Sequence, residues 1–380
     1  MPKKIVQKRR GFIKKTTALA GAVLSGSMAS SCVKSEDQLN SPTVKNINTI
    51  TNKKFNWRCV TTWPPNFPVL GEAVVKMAEE LKIISNGQLN IKVYGGGELV
   101  PPLEVFDAVT QGAAQMGHGA SYYWAGKMPS SVFFCTIPFG MNAQQINSWM
   151  LHGDGWKLWK KLYSQVNLIP IPCGNTGVQM GGWFNKKIDT IQDLQGLKMR
   201  IPGMGGKVIS KAGTAAVTIA GGELYTNLER GVIDATEWIG PYHDYLMGFH
   251  KVAQYYYYPG WHEPGSCLEL IINKKAFESL PKNLQLLIEN VALKYNLWVL
   301  SEFEAKNNFY LKKILSESDA ILEKFPDEVL LALKGYTNDV VDEIISTDSF
   351  AKEVYDNFSK FKKEIVNWNS SSEQAIVPYL

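Results

Sequence analysis

Histidine and cysteine are both scarce, at five residues each in a chain of 380. His118, His152, His243, His250 and His262 fall at no metal-binding spacing, and no Cys-x-x-Cys or mixed His/Cys cluster suggests zinc. His262-Glu263 lacks the second histidine of a zinc-protease helix. No apolar run reaches the ~18 residues that a membrane-crossing helix needs. Phosphate-cradling glycine loops are missing too. In Gly203-Met-Gly-Gly-Lys-Val208 the third glycine of a dinucleotide fingerprint is absent, and valine follows the lysine where a P-loop has Ser or Thr.

What is present is an ordinary globular composition, 45% hydrophobic and 20% charged, at a length that suggests two to three domains. The formal net charge of +5 is misleading. Positions 1–31 hold Lys3, Lys4, Lys8, Arg9, Arg10, Lys14 and Lys15 and no acid; without those seven charges the remainder stands at −2. A slightly acidic body argues against nucleic acid as a partner.

The order of that N-terminal stretch is that of an export signal. A basic segment precedes Thr16–Met28, a weakly apolar run of Ala, Gly and Ser, and then Ala29-Ser-Ser-Cys32. Lys8-Arg9-Arg10-Gly-Phe12-Ile-Lys14 resembles a twin-arginine signal, a route that carries folded proteins. Ala29-Ser-Ser-Cys32 resembles a bacterial lipoprotein signal, which implies an acylated Cys32; Ala29 departs from the usual leucine. The expected location is periplasmic or extracytoplasmic. Residues 1–31 read as the signal, and 32–54, rich in Ser, Asn, Thr and Lys, as a flexible tether. Cys59, Cys135, Cys173 and Cys267 allow three full pairings, but each lies in an apolar run, which favours buried free thiols.

From Phe55 the pattern alternates between strand and helix. Trp57–Thr62 reads as a strand, Leu70, Val74, Met77 and Leu81 recur at helical spacing, and Leu89, Ile91 and Val93 alternate as a strand. That is a right-handed β-α-β unit with parallel strands. Ser131–Pro138 is expected as a strand, Gln144–Tyr163 as one helix, and Leu168–Pro172, Val178–Phe184 and Lys198–Ile201 as strands. Beyond about 273 a helical face runs through Leu284, Ile288, Val291, Tyr295 and Trp298. If unbroken to Ser316 this helix is roughly 54 Å long, enough to underlie two lobes. Amphipathic stretches follow at 329–345 and from Phe350 to Ile365.

Arg200 ends a strand and precedes Pro202-Gly203. Ligands of open α/β sheets bind at the carboxyl edge, where a guanidinium can clamp a carboxylate through two parallel hydrogen bonds. A surface arginine is the plain alternative. Asp234-Ala-Thr-Glu237-Trp238 sets an acid among apolar residues, which is costly unless it is paired or metal-bound. Glu263 sits in a turn-rich loop, Gly260-Trp-His-Glu263-Pro-Gly-Ser266. Gln179, Glu237 and Glu263 offer hard oxygens to a cation.

Leu194-Gln-Gly-Leu-Lys-Met-Arg200 and Leu224-Tyr-Thr-Asn-Leu-Glu-Arg-Gly-Val-Ile-Asp-Ala-Thr-Glu237-Trp238, with the helix at 68–84, resemble the extracytoplasmic solute-binding subunits of TRAP transporters. The likeness extends over nearly all of the chain from Phe55. Asn175-Thr-Gly-Val-Gln179-Met-Gly-Gly-Trp183, Glu237-Trp238 and Glu263 narrow it to the branch that binds 2-oxo and 2-hydroxy monocarboxylates. The resemblance implies an α/β, two-lobed periplasmic-binding-protein-like fold with lobe-crossing strands and a long spine helix. Residues 55–178 and 240–273 would form the first lobe, 179–239 and 274–328 the second with the spine, and 329–380 the C-terminal helices.

The resemblance also implies roles. Arg200 would salt-bridge the substrate carboxylate. The Gln179, Glu237 and Glu263 side chains and the Trp238 carbonyl would hold a sodium or calcium ion. Asn175, Tyr122 and the Trp238 ring would touch the organic ligand, with Tyr123 the alternative to Tyr122. The implied partners are a small carboxylate and the membrane permease subunits of the transporter. An apolar helix face after 329 with no obvious core left to cover points to a homodimer. The reading is a binding protein without chemistry. An exported metal-dependent enzyme using Glu237 or Glu263 as general base, and a sensor or scaffold lipoprotein, are the competing readings.

Overall fold

The computed structural model describes residues 53–380. The stretch expected to be an export signal, Cys32 and nearly all of the expected tether lie outside the described residues.

Among the described residues eleven strands alternate with helices: β1 (Phe55–Thr61), β2 (Leu89–Tyr94), β3 (Met116–Gly119), β4 (Leu168–Asn175), β5 (Gly182–Phe184), β6 (Lys198–Arg200), β7 (Ala215–Val217), β8 (Ala235–Thr236), β9 (Tyr255–Tyr258), β10 (Cys267–Asn273) and β11 (Ile321–Lys324). They form two sheets, of order β2-β1-β3-β10-β4 and β11-β9-β5-β8-β6-β7. The expected β-α-β unit is present: β1 and β2 are parallel, Phe55 facing Leu89 through Val60 facing Tyr94, joined by the helix Leu70–Ile84. In β1 the alternation is direct, with Phe55, Trp57 and Cys59 buried and Asn56 and Arg58 exposed.

The chain crosses from the first sheet to the second between Asn175 and Gly182, and returns between Tyr258 and Cys267. The two crossing segments run side by side. The Thr176 N–H donates to the Ser266 carbonyl at 3.1 Å, Gln179 N–H to Glu263 at 3.1 Å, and Gly260 N–H to Gln179 at 2.9 Å. A Cβ at position 260 would lie 2.2 Å from the Gln179 carbonyl oxygen, so this close approach requires glycine.

The spine helix is continuous over Lys282–Glu317, 36 residues, entered directly after Pro281. It buries Leu284, Ile288, Val291, Ala292, Tyr295, Val299 and Phe303 against β4 and the helices Leu70–Ile84 and Pro241–Met247. Two of its asparagines fasten it to β4 and to the helix Pro241–Met247. The Asn296 side-chain oxygen accepts from Gly174 N–H at 3.0 Å, and that of Asn307 accepts from Tyr242 N–H at 3.2 Å.

Several expectations change. Ser131–Pro138 is no strand: Val132–Cys135 is a helical turn, buried on every side, entered through a 3-10 turn at Pro129–Ser131. A short run buried all round carries no periodicity by which to tell helix from strand. Gln144–Tyr163 is two helices, Ala143–His152 and Gly155–Tyr163, split where Gly153 is followed by left-handed Asp154 (φ 67°). The strand expected at Val178–Phe184 spans Gly182–Phe184 only, because the residues before it form the crossing. The stretch 240–273, assigned whole to the first lobe, is divided: β9 pairs with β5 in the second sheet and β10 with β3 and β4 in the first.

The C-terminal helices also differ from expectation. Asp327–Thr347 packs on the helix Gly203–Ser210 of the second lobe, burying Val329, Leu333, Val340, Val341 and Ile344. Ser349–Ser371 packs on Val132–Cys135, Ala143–His152 and Gly155–Tyr163 of the first, burying Ala351, Val354 and Phe358. Their apolar faces are therefore covered by the chain itself and do not call for a second subunit. Cys59, Cys135, Cys173 and Cys267 are buried and free, as their apolar settings predict.

Candidate functional site

The site lies where the two crossing segments meet the ends of β6 and β8. Arg200 is the last residue of β6 and is 1% exposed. All three of its nitrogens are engaged: Nε donates to the Ile219 carbonyl at 3.2 Å, a terminal nitrogen to the Tyr123 hydroxyl at 3.3 Å, and the other to the Glu237 carbonyl at 3.1 Å. That last nitrogen also makes a buried ion pair with the Glu237 carboxylate. The guanidinium sits over the Trp238 ring, 5.2 Å from its centroid. A Cβ on Gly221 would lie 2.5 Å from the edge of that ring, so glycine lets the indole seat there.

Glu237 follows directly on β8, and its second oxygen lies 3.2 Å from His262 Nε2. Glu263, on the returning crossing, accepts from Gln179 Nε2 at 2.7 Å and from the Ser266 hydroxyl. One donor atom each from Glu237, His262 and Glu263 lie within 4.8 Å of one another, and all three residues are buried. Burial, and then the Glu237 charge, push the Glu263 carboxyl up to about 7.

Among the described residues, three buried polar atoms here lack hydrogen-bond partners: Gln179 Oε1, Asn175 Nδ2 and His262 Nδ1. Such atoms are costly unless a ligand meets them. Two carboxylates and an unpartnered amide oxygen are the hard donors that suit a sodium or calcium ion, so the residues present fit a cation.

Arg200, Gln179, Glu237, Trp238 and Glu263 are therefore brought together. Asn175 ends β4, wholly buried, its side-chain oxygen accepting from Gly177 N–H at 2.9 Å. It is the Tyr123 hydroxyl that meets Arg200, while the Tyr122 ring packs edge-on against Tyr123, 4.8 Å between centroids. Sequence reasoning passed over His262, Ser266 and Thr176, whose hydroxyl accepts from Gln179 Nε2 at 3.2 Å. Adjacency to Glu263 and Asn175 is the signal that could have found them.

Residues 59–348 match the family described as bacterial extracellular solute-binding protein, family 7 (DctP). The chain belongs to that family. It is 41% identical over 319 residues, 83% of this chain and 86% of the relative, to a monocarboxylate 2-oxoacid-binding periplasmic protein of Nostoc sp.. Among solved structures it is similar to a TRAP periplasmic solute-binding protein from Pseudoalteromonas atlantica with bound sodium and pyruvate: TM-score 0.84, 40% identity, covering 86% of this chain and 100% of that one. It is also similar to a TRAP transporter solute-binding protein from Bordetella bronchiseptica, a mixed-occupancy dimer with calcium and picolinate in one site (TM-score 0.85, 36% identity, 86% and 97% covered). The two-lobed α/β architecture is that of these family 7 proteins, and the family works outside the cytoplasm.

Proposed function

We propose that this family 7 protein captures a short 2-oxo or 2-hydroxy monocarboxylate, together with a sodium or calcium ion, between its lobes and delivers it to the permease subunits of a TRAP transporter. The observation that carries the reading is one buried guanidinium facing two buried acids at the interlobe crossing. Arg200 grips the carboxylate. The side chains of Gln179, Glu237 and Glu263 and the Trp238 carbonyl hold the cation, while Asn175, Tyr122 and the Trp238 ring contact the organic part. A bound cation would supply positive charge to the carboxylate and the neighbouring keto or hydroxyl oxygen. A divalent ion with Arg200 balances two glutamates and one ligand carboxylate, which favours calcium. Arg200 and both glutamates are at most 2% exposed, so a ligand enters only as the lobes part.

Binding without turnover is part of the proposal. A calorimetric panel of pyruvate, lactate and longer 2-oxo acids should give one site per chain, with the acid recovered unchanged. Release of a chemically altered product would favour the enzyme reading, and no heat with any member would favour a sensor or scaffold. Export by the twin-arginine-like signal and acylation at Cys32 complete the proposed location. A homodimer stays within the proposal on different grounds: Trp368, Ile376, Val377, Tyr379 and Leu380 are exposed at the end of the chain. A light-scattering mass of two chains is expected, and one chain at micromolar concentration refutes it.

A further inference from the structure

We propose that His262 is a positioning residue that keeps Glu237 from closing into a two-pronged pair with Arg200, so that guanidinium and carboxylate both stay open to ligands. The inference rests on the roles proposed above for Arg200 and Glu237.

A guanidinium and a carboxylate left to themselves in a dry site form a fork-to-fork pair, with both oxygens on two parallel N–H groups. Arg200 and Glu237 do not. One terminal nitrogen of Arg200 takes one Glu237 oxygen, while Nε goes to the Ile219 carbonyl and the other terminal nitrogen to the Tyr123 hydroxyl. The second Glu237 oxygen lies 3.2 Å from His262 Nε2. An ionised carboxylate only accepts, so Nε2 carries the donated proton. That oxygen keeps a second lone pair, and Glu237 offers one carboxylate oxygen within 4.8 Å of donor atoms of His262 and Glu263. If the imidazole hydrogen bond is removed, rotation of the carboxylate toward Arg200 satisfies both groups. The carboxylate receptor and a cation ligand are then masked together.

The imidazole is itself held firmly. Its ring packs edge-on to Trp261 at 5.4 Å, and its Cβ lies 3.0 Å from where a Cβ on Gly205 would stand. Trp261 stacks on Phe139 at 5.8 Å, and the Phe139 N–H donates to the Trp261 carbonyl at 2.7 Å. His262 is 1% exposed, so its bond to Glu237 is not diluted by solvent. Partners of this kind, which orient a ligating group without touching the ligand, typically carry about 10- to 100-fold in metal affinity.

The test compares His262→Gln with His262→Asn in the mature chain. The glutamine amide reaches the place of Nε2, whereas the asparagine amide reaches only that of Nδ1. Calcium alone, and then pyruvate at saturating calcium, are titrated calorimetrically into each, with melting temperature as the control for folding. We expect H262N to lose about 10- to 100-fold in calcium affinity and H262Q to keep most of it, at similar melting temperatures. In an E237Q background H262N should add no further loss, because its target is gone. Losses that multiply in the double variant, or wild-type affinity in H262N, overturn the inference. If E237Q alone leaves calcium and pyruvate affinity unchanged, the site reading itself fails and takes this one with it.

Discussion

Arg200→Ala is expected to weaken pyruvate or lactate binding by on the order of 3–5 kcal/mol, roughly 150- to 5,000-fold. The size follows from burial. Arg200 is 1% exposed, and its donors are spread over the Ile219 carbonyl, the Tyr123 hydroxyl and Glu237. A ligand carboxylate entering this space meets two glutamates, and without the guanidinium it would share a dry cavity with like charges. Arg200→Lys keeps the charge but not the planar fork; one ammonium cannot reach all three partners and a ligand together. Its loss should be intermediate. The alanine variant also leaves Glu237 without its ion-pair partner, so its melting temperature should fall. Adding Glu237→Gln should return part of the stability and none of the affinity. Wild-type affinity in Arg200→Ala, measured by calorimetry below its melting point, would remove Arg200 from the site.

Much of this arrangement is legible along the chain, for reasons that differ by element. The spine is, because Leu284, Ile288, Val291 and Tyr295 recur every three or four residues with no Pro or Gly from Lys282 to Glu317. The place of Arg200 is, because a strand that stops before Pro202-Gly203 sets its last residue at the sheet's carboxyl edge. The helix at Val132–Cys135 is not, since Val, Phe, Phe and Cys are all buried and suit either conformation. Nor is the covering of the C-terminal helices. Val329, Leu333 and Val340 declare an apolar face but not what lies under it, and the partner helix Gly203–Ser210 is over a hundred positions away. The site divides the same way. Glu237 stands out as an acid in an apolar run, but His262 is one histidine in a turn-rich loop, and its partner lies 25 positions earlier. The pairing of Gln179 with Glu263 depends on two crossing segments 84 residues apart lying side by side. No local pattern encodes that; the family resemblance carries it.

Calcium and pyruvate are expected to raise each other's affinity by the same factor, on the order of 2–3 kcal/mol or about 30- to 150-fold. The Arg200–Glu237 pair is the cause. A carboxylate arriving alone draws the guanidinium from Glu237 and leaves two buried acids facing each other. A cation arriving alone draws Glu237 from Arg200 and leaves two buried positive charges. Together the two ligands satisfy both halves, so each removes the penalty the other would meet. The measurement is a pyruvate titration in sodium-free buffer, with excess calcium and with a chelator, and the converse calcium titration with and without pyruvate. Proton release gives a further check. With the Glu263 carboxyl held near pH 7 by burial and by Glu237, a cation entering below that pH must displace a proton. Apparent calcium affinity should therefore climb as pH rises toward about 7 and level off above it. Equal pyruvate affinity with and without the cation would mean that acid and ion do not share the Arg200–Glu237 pair, and the common site would have to be given up.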